Sequence, residues 1–133
     1  MNAILNDDIG KLILRLTTGI LMMFHGVAKV LHTDSLSFIK MRLADIGLPA
    51  FITYGVFLGE IIAPLMIILG IFSRIGGLII VGNMIFAILI AHGNHLFMLT
   101  EHGGYRLELQ AFYLLCGLAI IFLGSGKYAV KAD

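Results

Sequence analysis

The chain has 133 residues, of which 59% are hydrophobic and only 13% are charged, and its mean hydropathy is +1.01. A soluble domain needs more polar surface than this composition supplies, so we predict an integral membrane protein. The formal net charge of +1 provides no basic footprint for nucleic acid, and a single cysteine excludes an internal disulfide and CxxC redox chemistry.

The first predicted element is a membrane-spanning helix over residues 9–31, a run long and apolar enough to cross a bilayer. A polar stripe runs along it, with members spaced by 3, 4, 3 and 4 residues, which places them on one helix face. Because a charge at the bilayer centre costs about 3 kcal/mol, the stripe is predicted to face protein or water. Its members are Arg15, Thr18, Met22, His25 and Lys29.

The connection after this helix, residues 32–49, is too polar to span a membrane. Leu36, Ile39, Leu43 and Ile46 recur within it at helical spacing. This pattern predicts a short amphipathic helix that lies on the membrane surface.

The second predicted span covers residues 50–72 and contains an ionisable residue, Glu60, followed four positions later by Pro64. Proline has no backbone N–H to donate to the carbonyl one turn back, at Glu60, so the helix is predicted to kink there. Intramembrane carboxylates are commonly functional, which favours a proton-handling or ligand-binding role for Glu60. A structural ion pair with His25 or Lys29 is the alternative interpretation.

The third and fourth predicted spans cover residues 75–92 and 107–124. The third carries Asn83 near its middle, a residue type that often forms hydrogen bonds between membrane helices, and it ends at His92. The fourth begins with a second polar seam, whose members step by 4, 3 and 4 residues. The members of this seam are Arg106, Gln110, Tyr113 and Gly117.

These elements predict an all-α fold, an integral membrane four-helix bundle, with residues 1–133 forming a single transmembrane domain. Four spans place both termini on one side of the membrane. That side carries five lysines and arginines against four on the other, so the positive-inside rule favours cytoplasmic termini. The two longer connections are then expected on the outer face.

Helical rise places most of the polar groups in the outer half of this bundle. We interpret three of them as candidate catalytic residues, because each is of a type that can hold or move a proton. No metal site is predicted, since no HxxxH pair places two histidines on one helix face. The candidate catalytic residues are His25, Glu60 and Tyr113; the candidate substrate-binding residues are Lys29, His92, Arg106 and Gln110; the polar residues given a structural role are Arg15 and Asn83.

Short motifs distributed along nearly the whole chain resemble those of the DoxX family of small four-helix bacterial membrane proteins. The resemblance implies an oxidoreductase-linked subunit of the bacterial inner membrane, since the family takes its name from a subunit of a thiosulfate:quinone oxidoreductase. Relatives are tied to thiol metabolism and oxidative stress. The matching pieces are Arg15-Leu16, Phe24-His25-Gly26-x-x-Lys29, Gly47-Leu48-Pro49, Glu60, Leu69-Gly70-Ile71-Phe72-Ser73-Arg74, His92 and Gly124-Ser125-Gly126-Lys127-Tyr128.

Two classes of function fit these observations. The first is a membrane redox component that binds a quinone or a similar lipophilic substrate in a polar pocket of the outer leaflet. No built-in cofactor is expected, so electrons would come from a redox partner protein or directly from a reductant. The alternative is a protein without chemistry of its own, either a small-solute carrier or an assembly or partner subunit, and a homo-oligomer is possible in either class.

Overall fold

The structure is a computed structural model that describes residues 6–91 and 93–133. The regular elements in these ranges are all helices, and β-pairing there is limited to two isolated bridges. The predicted all-α membrane bundle is therefore confirmed. The helices are α1 (Asp7–Leu31), α2 (Asp34–Asp45), a 3₁₀ turn (Ala50–Gly55), a π turn (Leu58–Ile62), α3 (Ala63–Leu69), α4 (Ser73–Ala91), a second 3₁₀ turn (Gly93–His95) and α5 (Glu108–Leu123).

Three segments have the length and hydropathy needed to cross a membrane, namely Asp7–Leu31, Ala50–Leu69 and Ser73–Ala91. The fourth apolar helix, Glu108–Leu123, is shorter. All four coincide with the predicted spans to within three residues at each end, because long apolar runs leave few alternatives to a helix in a bilayer. The chain is a multi-pass membrane protein.

Helix α1 begins two residues before its predicted start, because Asn6 caps it by accepting a hydrogen bond of 2.9 Å from the Ile9 N–H. The first part of the predicted stripe faces the bundle, since Arg15, Thr18 and Met22 are all buried. These positions place the inner face of α1 against the second span.

The second span differs most from its prediction. A single kinked helix was expected over residues 50–72, but the chain forms the 3₁₀ turn, the π turn and α3 in succession, and α3 ends at Leu69. The π turn ends two residues before Pro64, whose nitrogen carries no hydrogen to donate to a carbonyl in the preceding turn. Gly70 then ends α3 in a left-handed conformation, with φ of 77°.

Helix α2 forms where the amphipathic pattern predicted it, with Leu36, Ile39 and Leu43 buried against Val56. The inclusion of Ile46 in this face was wrong, because the helix ends at Asp45 and the Ile46 side chain is exposed. The helix packs on the 3₁₀ turn and on α4 rather than lying free of the bundle.

The C-terminal segment, residues 124–133, folds back onto the end of the bundle that lies away from α2. The Lys127 N–H donates to Asp8 Oδ1 at 3.0 Å, and Val130 and Lys131 donate to the carbonyls of Leu69 and Gly70. The two described ends of the chain therefore lie together, and α2 lies at the other end of the bundle.

Candidate functional site

A cavity of about 520 Å³ lies between α1, α2, the π turn, α4 and α5. This volume falls within the range of roughly 300–1,000 Å³ typical of small-molecule sites, and most of the lining is apolar with a few polar groups. The lining residues are Met22, His25, Lys29, Asp34, Ser35, Phe38, Ile39, Val56, Glu60, Met84, Phe86, Ala87, Ile90, Ala91, Leu109, Gln110 and Tyr113.

Glu60 is the most buried polar residue of the cavity lining, with only 4% of its surface exposed. Lys29 Nζ lies 2.5 Å from Glu60 Oε1, and Asn83 Nδ2 donates to Oε2 at 3.3 Å. Both carboxylate oxygens thus have a donor, as a buried charge requires. The Lys29 side chain is 20% exposed, so the outer member of the ion pair is the cation.

Two glycines allow this arrangement. A Cβ at Gly26 of α1 would collide with the backbone carbonyl of Glu60, and a Cβ at Gly59 would collide with the Asn83 side chain. The π turn can therefore contact α1 on one side and α4 on the other. The close approach brings donors from two helices to one carboxylate.

The sequence left open whether Glu60 pairs with His25 or with Lys29, and the ion pair is formed with Lys29. Consecutive residues of an α-helix are rotated by about 100° around its axis. Gly26 faces the π turn. Viewed down the axis of α1, the Lys29 position is rotated by about 60° from Gly26 and the His25 position by about 100°, towards α5. His25 instead contacts the Tyr113 ring edge-on, with centroids 5.7 Å apart and an interplanar angle of 89°.

The cavity brings together five of the seven predicted catalytic and substrate-binding residues. Arg106 is exposed and does not line it, since it precedes the first turn of α5. The seventh, His92, lies outside the described residues. The five that line the cavity are His25, Lys29, Glu60, Gln110 and Tyr113.

Arg15 does not line the cavity and lies at the end of the bundle where the two described ends of the chain meet. Its side chain is 1% exposed, and its guanidinium donates to the carbonyls of Ile67, Ser125 and Tyr128 at 2.8 Å and of Ile68 at 3.2 Å. These bonds join α1 to α3 and to the C-terminal segment. The arrangement suits the structural role predicted for Arg15.

Two contributions to the site were not anticipated from the sequence. Helix α2 supplies Asp34, Ser35 and Phe38 to the cavity lining, and Asn83 contacts Glu60 directly. The hydrophobic spacing in α2 showed that one face would be buried. It could not show that the helix would fold over the cavity.

Together these features define the class: a multi-pass helical membrane protein with an ion pair on a buried carboxylate in a mostly apolar cavity. The sequence model of the DoxX family matches residues 10–93, and this chain belongs to the DoxX family. A Bacillus subtilis (strain 168) protein named "Putative oxidoreductase CatD" is 31% identical over 108 residues, which cover 80% of this chain and 78% of that protein. No solved structure matches this chain significantly.

Proposed function

We propose that this protein is a membrane redox component that binds a quinone, or a similarly lipophilic carbonyl compound, in the cavity around Glu60. The observation that carries this proposal is the Lys29–Glu60 ion pair, with its carboxylate buried, in a mostly apolar cavity of about 520 Å³. Ionisable groups inside membrane segments are costly and mark functional sites by default. The name of the Bacillus subtilis relative supports the redox assignment.

The site supplies groups that suit quinone reduction, in which a quinone takes up two electrons and two protons to form a hydroquinone. The Lys29 ammonium has three N–H donors, and its hydrogen bond to Glu60 uses one of them. A second can donate to a ligand carbonyl and stabilise the negative charge that develops on it. His25, Glu60 and Tyr113 are groups of suitable type to transfer the protons.

The electrons in this proposal come from a reductant or from a redox partner protein. Thiols and reduced sulfur compounds are the donor class we favour, which would connect the protein with sulfur or oxidative-stress metabolism. Thiosulfate itself is a poor candidate for the cavity. The Lys29–Glu60 pair is neutral overall and Asp34 adds a negative charge to the lining, so a dianion would enter without a compensating charge.

We place the protein in the bacterial inner membrane with both termini in the cytoplasm. Lys11, Arg74, Lys127 and Lys131 belong to the end of the bundle where the two described ends of the chain meet. Lys40, Arg42 and Arg106 belong to the opposite end, so the excess of positive charge among these residues is one. In this orientation the cavity and α2 lie in the outer leaflet.

The proposal is tested by quinone binding to the purified protein in lipid nanodiscs. A short-chain quinone at about 100 times its Kd should stabilise the folded protein by about 2.7 kcal/mol, measured as a rise in Tm. Glu60→Gln should abolish the rise, while Glu101→Gln, the same change at an exposed loop position, should leave it intact. An equal rise in the Glu60→Gln variant, or no saturable binding at all, would refute the cavity as a quinone site.

Turnover is measured separately, as hydroquinone formed when the same nanodiscs receive a quinone and a dithiol reductant. Formation above the uncatalysed rate, lost in Glu60→Gln, would establish chemistry at the site. Saturable quinone binding without turnover from any thiol or sulfur donor would favour the alternative of a carrier or partner subunit.

A further inference from the structure

The connection between α4 and α5 contains an ordered hairpin over residues 96–106. The Arg106 N–H donates to the Met98 carbonyl at 2.9 Å, and Leu99 and Tyr105 form an antiparallel bridge. The Tyr105 hydroxyl donates to the Leu96 carbonyl at 2.6 Å. These bonds hold the first arm of the hairpin in a defined position.

That first arm presents four consecutive large apolar side chains to the surroundings. Phe97 is 97% exposed and Leu99 is 65% exposed, while Leu96 and Met98 are exposed to a lesser degree. The turn that follows is polar, with Glu101 as its charged residue. The hairpin is therefore amphipathic along its length, with an apolar arm and a polar tip.

The lengths of the neighbouring helices place this arm near the edge of the membrane. The Arg74 guanidinium, in the first turn of α4, donates to the carbonyls of Ile121 and Phe122 in the last turn of α5. The first turn of α4 therefore lies level with the last turn of the antiparallel α5. From that level α4 extends for 19 residues and α5 for only 16. The start of α5 lies about 4.5 Å short of the end of α4, and α5 spans only about 24 Å of a hydrocarbon core of about 30 Å.

We propose that residues 96–99 insert into the lipid bilayer at the interface between headgroups and acyl chains, with Phe97 among the acyl chains and the polar tip in water. The hairpin hydrogen bonds lower the cost of bringing backbone groups to this depth. Apolar side chains exposed beside a polar segment are the composition that binds a lipid interface. This proposal stands independently of any ligand or redox activity.

The insertion has a consequence for the cavity. Ala91, the last residue of α4, and Leu109, the second residue of α5, both line the cavity. An anchored hairpin holds these two lining positions at the level of the acyl chains. A ligand dissolved in the bilayer would then meet the cavity without first leaving the lipid.

The chain contains no tryptophan, so a single introduced tryptophan is an unambiguous reporter. In Phe97→Trp, reconstituted in phosphatidylcholine vesicles, we expect emission shifted to the blue and quenched strongly by lipids with brominated acyl chains. His102→Trp, at the exposed tip of the same hairpin, is the matched control and should be quenched by acrylamide instead. Both positions are exposed, so neither substitution should disturb folding.

A second pair of variants tests the role of the apolar arm. Leu99→Trp should be quenched by brominated lipid, and adding Phe97→Glu should reduce that quenching and raise quenching by acrylamide. Stronger quenching of Phe97→Trp by acrylamide than by brominated lipid would overturn the proposal and place the arm in water. Protection from both quenchers would also overturn it, because the arm would then be buried against protein, such as a second copy of this chain.

Discussion

The ion pair between Lys29 and Glu60 predicts an unequal response to the loss of either partner. Lys29→Met leaves the Glu60 carboxylate, 4% exposed, without its cation and with the Asn83 amide as its hydrogen-bond donor. Removing one partner of a buried pair costs about 3–5 kcal/mol, because the remaining charge is buried and unpaired. Glu60→Gln leaves the Lys29 ammonium, whose side chain is 20% exposed and can extend towards water, so we expect a loss of about 1–2 kcal/mol.

The double variant separates the pair interaction from other effects. Lys29→Met with Glu60→Gln removes both charges, so its stability should exceed that of Lys29→Met alone, with a coupling energy of about 2 kcal/mol. The free energy of unfolding is measured by denaturant titration in mild detergent for the full cycle. Lys40→Met serves as the control, because Lys40 donates to the Tyr54 hydroxyl outside the cavity and should combine additively with Glu60→Gln. Additive losses for Lys29 and Glu60, or a larger loss in Glu60→Gln than in Lys29→Met, would refute this account of the pair.

Three further predictions concern the scaffold and its orientation. Arg15→Leu leaves four carbonyls without their donor and should cost several kcal/mol in unfolding experiments, at about 1 kcal/mol or more each, whereas Arg106→Leu at an exposed position should be nearly neutral. Gly26→Ala should lower both Tm and quinone affinity, because a Cβ there would collide with the Glu60 carbonyl; wild-type values for both would show that α1 and the π turn are not in close contact. A reporter active only in the periplasm, fused after Asp133, should stay silent, and a strong signal would reverse the proposed orientation.

The helical bundle was predictable because membrane-spanning helices are determined by local composition. Long apolar runs and the polar stripe of α1 were sufficient to locate the spans and to show that Arg15 and Thr18 face inward. The position of the break in the second span also followed from one residue, Pro64. The form of the break did not follow from the sequence. A kink, a 3₁₀ turn and a π turn differ in their backbone hydrogen bonds, and packing against neighbouring helices decides between them.

The partner of Glu60 was decided by packing between helices. The sequence offered His25 and Lys29 as alternatives four residues apart, and periodicity alone could not separate them. The close approach at Gly26 set the rotation of α1 against the π turn, which turned Lys29 towards Glu60 and His25 towards Tyr113.

The sequence by itself determined a membrane-embedded helical protein of the DoxX family, with Arg15 on the inward face of its first helix. Only the tertiary structure decided that α2 folds over the cavity and that Asn83 completes the surroundings of Glu60. The physical reason is that hydropathy and helical period depend on residues within one or two turns. Which buried faces meet depends on side-chain volumes and backbone approach between segments far apart in the chain, such as Gly59 against Asn83.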